Sequence, residues 1–158
     1  MDSKMLFEGE TKELEILEFY AGGNSYGIDI NEIKEILPYD LIATPIPNSH
    51  PYIEGMVMPR DFIIPIIDLV KSLELVDLEQ SENEMLIVTS IQDLNIGFHV
   101  DSVNGIHRLS TDEVKKPGKN ISTKVKEAVI GKFERNNITI EILDLRYIIT
   151  MINADVLK

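Results

Sequence analysis

Three histidines, His50, His99 and His107, are the side chains best suited to metal or acid–base chemistry in a chain without cysteine. His99 and His107 fall on adjacent segments, NIGFHV and SVNGIHRLS, which a hairpin could set face to face. A metal site needs about three or four ligands in a tight cluster, and two imidazoles fall short of that. The histidines are therefore expected to be strand residues with ordinary hydrogen bonds. Ser and His do not sit in a nucleophile-elbow context, and there is no glycine-rich phosphate loop. Asp68 and Asp144 each precede a leucine and could pair for proton transfer. The simpler expectation is that each caps a short helix that follows it. The residues thus predict no enzyme, no catalytic residue, no metal site and no cofactor.

The chain of 158 residues is long enough for one compact domain with a real core. Its net charge of −12 repels polyanions, which argues against nucleic acid and against anionic membrane surfaces. No apolar stretch approaches the roughly 20 residues of a membrane helix, so direct membrane insertion is not expected. The acidic start, MDSKMLFEGETKE, lacks the apolar core of a signal peptide. Together with the missing cysteines this fits a cytoplasmic protein.

The elements that would position any site are mostly short strands. LEILEFY and YGIDI alternate as half-buried strands about the turn AGGNS. NEIKEIL places Ile33, Ile36 and Leu37 at helical spacing, with Asn31 suited to cap a short helix. LIATPIPNSHPYIEG is rich in proline and predicted extended or irregular. LVKSLEL reads as a brief helical turn, and MLIVTSI and NIGFHV as strands. STDEVKKPGKNISTKVKE reads as a long loop containing a helical turn, and RYIITMINADVL as a closing helix. Residues 1–12 are predicted to be a flexible segment, 13–152 a single domain and 153–158 a tail. Short strands with turns at close intervals favour barrels or sandwiches over a parallel sheet.

A repeat lies within this pattern. GMVMPRDFIIPIIDL (55–69) and GKFERNNITIEILDL (131–145) are both 15 residues long. Each opens on glycine, carries a turn pair at its centre (Arg60–Asp61, Asn136–Asn137) and ends on Asp-Leu. The Asn pair is a strong hairpin signal, because Asn tolerates the left-handed conformation. More weakly, GIDINEIKEI from Gly27 matches GFHVDSVNGI from Gly97. The chain therefore reads as a duplication: two similar β units, each too small to bury a core comfortably without the other. Arg60 and Asp61 are then polar because they occupy a hairpin tip.

YGIDINEIKEI, TPIPNSHPYIEG, MPRDFIIPIIDL and GFHVDSVNGI together resemble the CheW-like domain of bacterial chemotaxis, from about Leu14 to Ile149. The resemblance implies a mainly β fold of two intertwined five-stranded barrels of the Src-homology type with a few short helices. Within the family the sequence looks most similar to the coupling domain of CheV-type proteins, some of which carry Met-Pro-Arg-Asp at the arginine hairpin. CheV-type proteins continue into a receiver domain that this sequence does not include. Two expectations follow: the coupling half of such a protein, or an adaptor acting alone as CheW does.

The function implied is a cytoplasmic adaptor at receptor arrays, linking the chemoreceptor cytoplasmic tip to the regulatory domain of the histidine kinase CheA. A receptor tip is a helical bundle, and a cleft between two barrels would supply the apolar groove it needs. By resemblance Ile33, Gly55 and Leu86 line that groove with Val103 nearby, Gly55 allowing close helix approach. Arg60 is expected to pair with Glu35, on the adjoining helix, beside the groove. The kinase-binding face is expected around Ile30 and Glu35. Pro59 and Asp61 depart from the usual motif, so the arginine hairpin is expected to differ in shape. A small-molecule-sensing β-barrel module is the alternative, though nothing in the sequence supplies convergent polar groups to orient a ligand.

Overall fold

The computed structural model describes residues 11–40, 43–59, 63–76 and 83–152. Arg60 and Asp61 lie outside the described residues, as does the predicted tail. The first strands, β1 (Glu13–Ala21) and β2 (Asn24–Asp29), form the expected hairpin, with Gly22 and Gly23 at φ 58° and 81° in its turn. The strands β3 (Ile33–Pro38), β4 (Ile53–Val57) and β5 (Ile64–Asp68) follow, and a single helical turn, α1 (Leu69–Ser72), comes next. Then come β6 (Met85–Ile91), β7 (Leu94–Val100), β8 (Ser102–Ser110), β9 (Val129–Arg135), β10 (Ile138–Leu143) and α2 (Leu145–Ile152).

The strands form two five-stranded sheets, ordered β8-β1-β2-β10-β9 and β3-β6-β7-β5-β4. Adding five to each strand number of the second sheet, with β6 and β7 returning to β1 and β2, gives the first. The halves of the chain are therefore duplicates that exchange strands: β3, β4 and β5 leave the first half to pair with β6 and β7. The register repeats residue by residue. Gly55 faces Ile66 and Val57 faces Ile64 in one hairpin; Gly131 faces Ile142 and Phe133 faces Ile140 in the other. Even the irregularity repeats, since Ile53 meets Ile67 and Val129 meets Leu143 across a bulge. The turn pairs Gln92–Asp93 and Asn136–Asn137 all have positive φ, so both β6–β7 and β9–β10 turn tightly.

The core divides as the duplication requires. Leu14, Ile16, Leu109, Phe133, Ile140 and Ile142 fill the first unit. Val57, Ile64, Ile66, Leu86 and Val88 fill the second. Much the largest cluster lies between them, where Leu17, Phe19, Ile28, Ile67, Ile87 and Phe98 meet Leu145, Ile148 and Ile149 of α2. Neither unit could keep that shared surface dry alone, which makes the two interdependent.

Two expectations are corrected. The segment NEIKEIL is not a helix: Ile30–Glu32 make a single 3₁₀ turn capped by Asp29, not Asn31, and Ile33–Pro38 pair with β6. The helical spacing of Ile33 and Ile36 has another cause. A register shift between Ile33 and Glu35 inserts one residue, so both isoleucines pack against the shared core from a strand. Glu35 accordingly stands on this strand. Nor do His99 and His107 face each other, because β7 and β8 follow in sequence but belong to different sheets.

The capping expectation holds. Asp68 Oδ1 accepts the Lys71 amide at 3.1 Å, and Asp144 Oδ1 accepts those of Arg146 and Tyr147 at 3.1 and 3.4 Å. The loop after β8 carries two 3₁₀ turns, Thr111–Glu113 and Lys126–Ala128. The closing helix runs to Ile152.

Candidate functional site

The residues expected to line one groove are distributed differently. Ile33 on β3 and Val103 on β8 are half-buried at equivalent places in the duplication, and each packs against the shared core. Leu86 is 1% exposed, inside the second unit with Val57, Ile64, Ile66 and Val88. It lines neither of the two grooves described below. Both faces of β6 are buried, Ile87 and Ile91 toward the shared core and Leu86 and Val88 inward, so the run LIV carries no sign of which faces a partner.

Gly55 is buried as well, and its requirement for glycine comes from its own chain. A Cβ there would lie 2.6 Å from the Thr44 carbonyl oxygen and 3.1 Å from the Ala43 Cβ. Thr44 is pinned there by two hydrogen bonds with Met56, at 2.9 and 2.8 Å. Residues 43–44 thus lie against Gly55 along the free edge of β4, where a foreign helix was expected to approach.

An apolar concavity lies one step along the same hairpin. A cleft of about 480 Å³ opens between Ile53, Ile63 and Ile67 of the β4–β5 hairpin, Leu94 at the β6–β7 turn, and Ile149 and Ile152 of α2. The amphipathic helix α2 buries Ile148 and Ile149 in the shared core, and Ile149 with the half-buried Ile152 also lines this opening. Ile63 and Met58, at 58% and 59% exposed, stand on the same hairpin. Ile63 is thus both exposed to water and part of the cleft wall. Sequence reasoning did not assign the cleft, although the isoleucines at 53, 63, 149 and 152 are visible in the chain. The missing information was the packing of α2 against the second sheet.

Ile30, expected on the kinase-binding face, lines a smaller, more polar groove of about 320 Å³ with Glu13, Glu15, Asp29 and Arg108. Glu32, in the same 3₁₀ turn, faces Arg146 of α2 at 4.0 Å. Burial is the main influence raising the Glu32 carboxyl above its usual range; Arg146 opposes it, and Asp29 and Asp144 add to it.

Two of the three histidines make hydrogen bonds to carboxylates, while His50 Nδ1 accepts the Tyr52 amide at 3.1 Å. His107 Nε2 lies 2.7 Å from Oε1 of the buried Glu18, which Asn104 also reaches at 2.9 Å. His99 lies between Glu54 and Glu84. Among the described residues no group of three or more His, Asp or Glu is placed to hold a metal ion. None of their helices is long and apolar enough to cross a membrane.

This arrangement of two exchanged β units with a flanking helix is shared with known proteins. The family model for the CheW-like domain matches residues 15–153. The chain is 35% identical to a chemotaxis protein CheW of Klebsiella aerogenes over 107 residues, covering 68% of this chain and 64% of that one. It is 29% identical to a chemotaxis protein CheW of Thermotoga maritima, covering 90% and 92%. It is 30% identical to the chemotaxis protein CheV3 of Helicobacter pylori, covering 94% of this chain but 51% of that one. The chain thus spans somewhat under two thirds of the Klebsiella relative and about half of the Helicobacter one. The crystal structure of the scaffolding protein TtCheW from Thermoanaerobacter tengcongensis superposes with a TM-score of 0.78 at 26% identity, covering 87% and 92%.

Proposed function

The chain belongs to the CheW-like domain family, and from that premise we propose that it is a chemotaxis coupling adaptor joining chemoreceptor tips to the histidine kinase CheA. It carries out no chemistry. Its output is a coupling free energy: contacts with a receptor in one state favour or disfavour contacts with the kinase. It works in the cytoplasm, at receptor arrays. The match to a CheV protein over about half of that protein's length suits a coupling module shared by adaptors with and without a receiver domain.

The observation that carries this reading is the isoleucine-walled cleft between the second sheet and α2. An apolar ridge from a helical bundle would bury the exposed Ile63 and Met58 as it enters. Ile33 and Val103 support the two sides of the seam through the shared core. Gly55 and Leu86 act from beneath, by setting the position of the β4–β5 hairpin. The kinase face is the opposite groove around Ile30, with Glu35 on the neighbouring strand. A small-molecule sensor would need polar groups converging on the cleft, and Asp93 and Asn95 reach only its turn end.

The test is co-sedimentation of the chain with a receptor cytoplasmic fragment and CheA. Ile63→Asp is the informative variant, because its side chain is exposed and its loss costs no core packing. The variant should fold as wild type and fail to enter the pellet. Equal sedimentation of the two would refute the cleft as the receptor surface.

A further inference from the structure

The His99 ring is stacked beneath Tyr39, with ring centroids 3.7 Å apart. Its Nδ1 lies 2.7 Å from Glu54 Oε2 and its Nε2 3.1 Å from Glu84 Oε1. A neutral imidazole has one N–H and one lone pair, so it can donate to only one of these carboxylates. Its other nitrogen would then turn a lone pair toward a carboxylate oxygen. Only the imidazolium donates to both.

The groups around it come from every neighbouring element. Glu54 is on β4, Glu84 immediately precedes β6, and Asp68 ends β5 directly beside His99 in the parallel ladder. Tyr39, just beyond β3, donates its hydroxyl to the other Glu54 oxygen at 2.9 Å. Lys71 engages Asp68 from the α1 side. Three carboxylates thus surround one imidazole. The side chains of His99, Glu54 and Glu84 are 14%, 21% and 20% exposed, buried enough to limit screening and open enough to exchange protons.

We propose that His99 is a pH-dependent latch: as imidazolium it ties the edge strand β4 to β7 and to the start of β6, and on losing its proton it releases β4 together with the cleft wall that Ile53 provides.

The position of β4 makes it sensitive to this. It is an edge strand, held on one side by β5 and on the other, among the described residues, by the Thr44–Met56 bridge. With the imidazole neutral, Glu54, Glu84 and Asp68 repel one another, and Lys71 offsets this only at the Asp68 end. Burial is the largest influence on the His99 ring and favours its neutral form. The Glu54 hydrogen bond and the charges of Glu54, Glu84 and Asp68 together outweigh it and hold the ring above its ordinary value. A group raised on folding contributes fully below its unfolded value, and the contribution is lost as pH rises through the folded value. The latch therefore opens on the alkaline side of the ordinary imidazole range. This holds whatever the cleft binds.

The experiment pairs an NMR titration of the histidine ring signals of the full chain with amide exchange followed by mass spectrometry. Exchange of the segment 43–57 is compared with that of 13–21 across the same pH series, after correction for intrinsic rates. His99 should titrate above a free imidazole, and protection of 43–57 should fall in step with it while 13–21 stays protected. Glu54→Gln should shift both the titration and the loss of protection to lower pH, and Glu84→Gln serves if that variant does not fold. Titration of wild-type His99 at or below the free imidazole value would overturn the latch. So would protection of 43–57 that does not follow the titration.

Discussion

Gly55→Ala is the most informative single change, because the structure predicts a large stability loss at a position where family resemblance would predict a binding defect. The added Cβ would lie 2.6 Å from the Thr44 carbonyl oxygen, which cannot simply retreat, since it accepts the Met56 amide at 2.8 Å. One response keeps the contact and overpacks it, at about 1–3 kcal/mol. The other releases the Thr44–Met56 bridge, losing two hydrogen bonds of about 0.5–1.5 kcal/mol each. Either adds to the backbone strain of a side chain at φ 153°, about 1–3 kcal/mol. The sum is about 2–6 kcal/mol, a large part of a small domain's stability. Gly105 is the control: its φ is 146°, yet a Cβ there meets nothing within 4 Å. Gly105→Ala should therefore cost only the strain, and the difference between the two variants isolates the contact. Urea unfolding of both, compared at constant m, measures that difference. Equal midpoint shifts would refute the claim that the 43–44 segment is what demands glycine at 55. If the claim holds, Gly55→Ala kept folded at low temperature should still bind receptor.

Three further outcomes are expected. Asp144→Ala should destabilise by about 1 kcal/mol in thermal or urea unfolding, because it strips a cap from the eight-residue helix α2. Asp68→Ala, which caps only the four-residue α1, should cost less. Glu32 is raised mainly by burial, so the folded state holds its proton more tightly than the unfolded chain. Its contribution is most favourable at acid pH and declines as pH rises from the ordinary carboxyl range through the raised folded value. Glu32→Gln should remove that decline from a plot of stability against pH. A variant that keeps the wild-type slope there would show that the carboxyl is not desolvated by the 3₁₀ turn and α2.

Much of the fold was legible because it is encoded locally. The hairpin about Gly22 and Gly23, the Asn136–Asn137 turn and the two aspartate caps each follow from one residue's conformational or hydrogen-bonding preference. The duplication was legible because glycines, turn pairs and Asp-Leu ends recur at fixed spacing. The segment NEIKEIL misled because a bulged strand can mimic helical spacing when both its isoleucines turn to one core. The site was less legible still. Leu86 and Ile87 are adjacent, similar and both buried, yet they serve different cores.

The sequence by itself determined that this chain is a doubled set of short strands with tight turns and capped helical ends. Those features depend on neighbours along the chain. Only the tertiary structure decided that the halves exchange strands, that Thr44 rather than a partner fills the space above Gly55, and that α2 completes an apolar cleft. It alone set His99 against Glu54, 45 residues away in sequence. Such contacts are fixed by pairing and packing between distant segments, and no local preference of the residues involved specifies them.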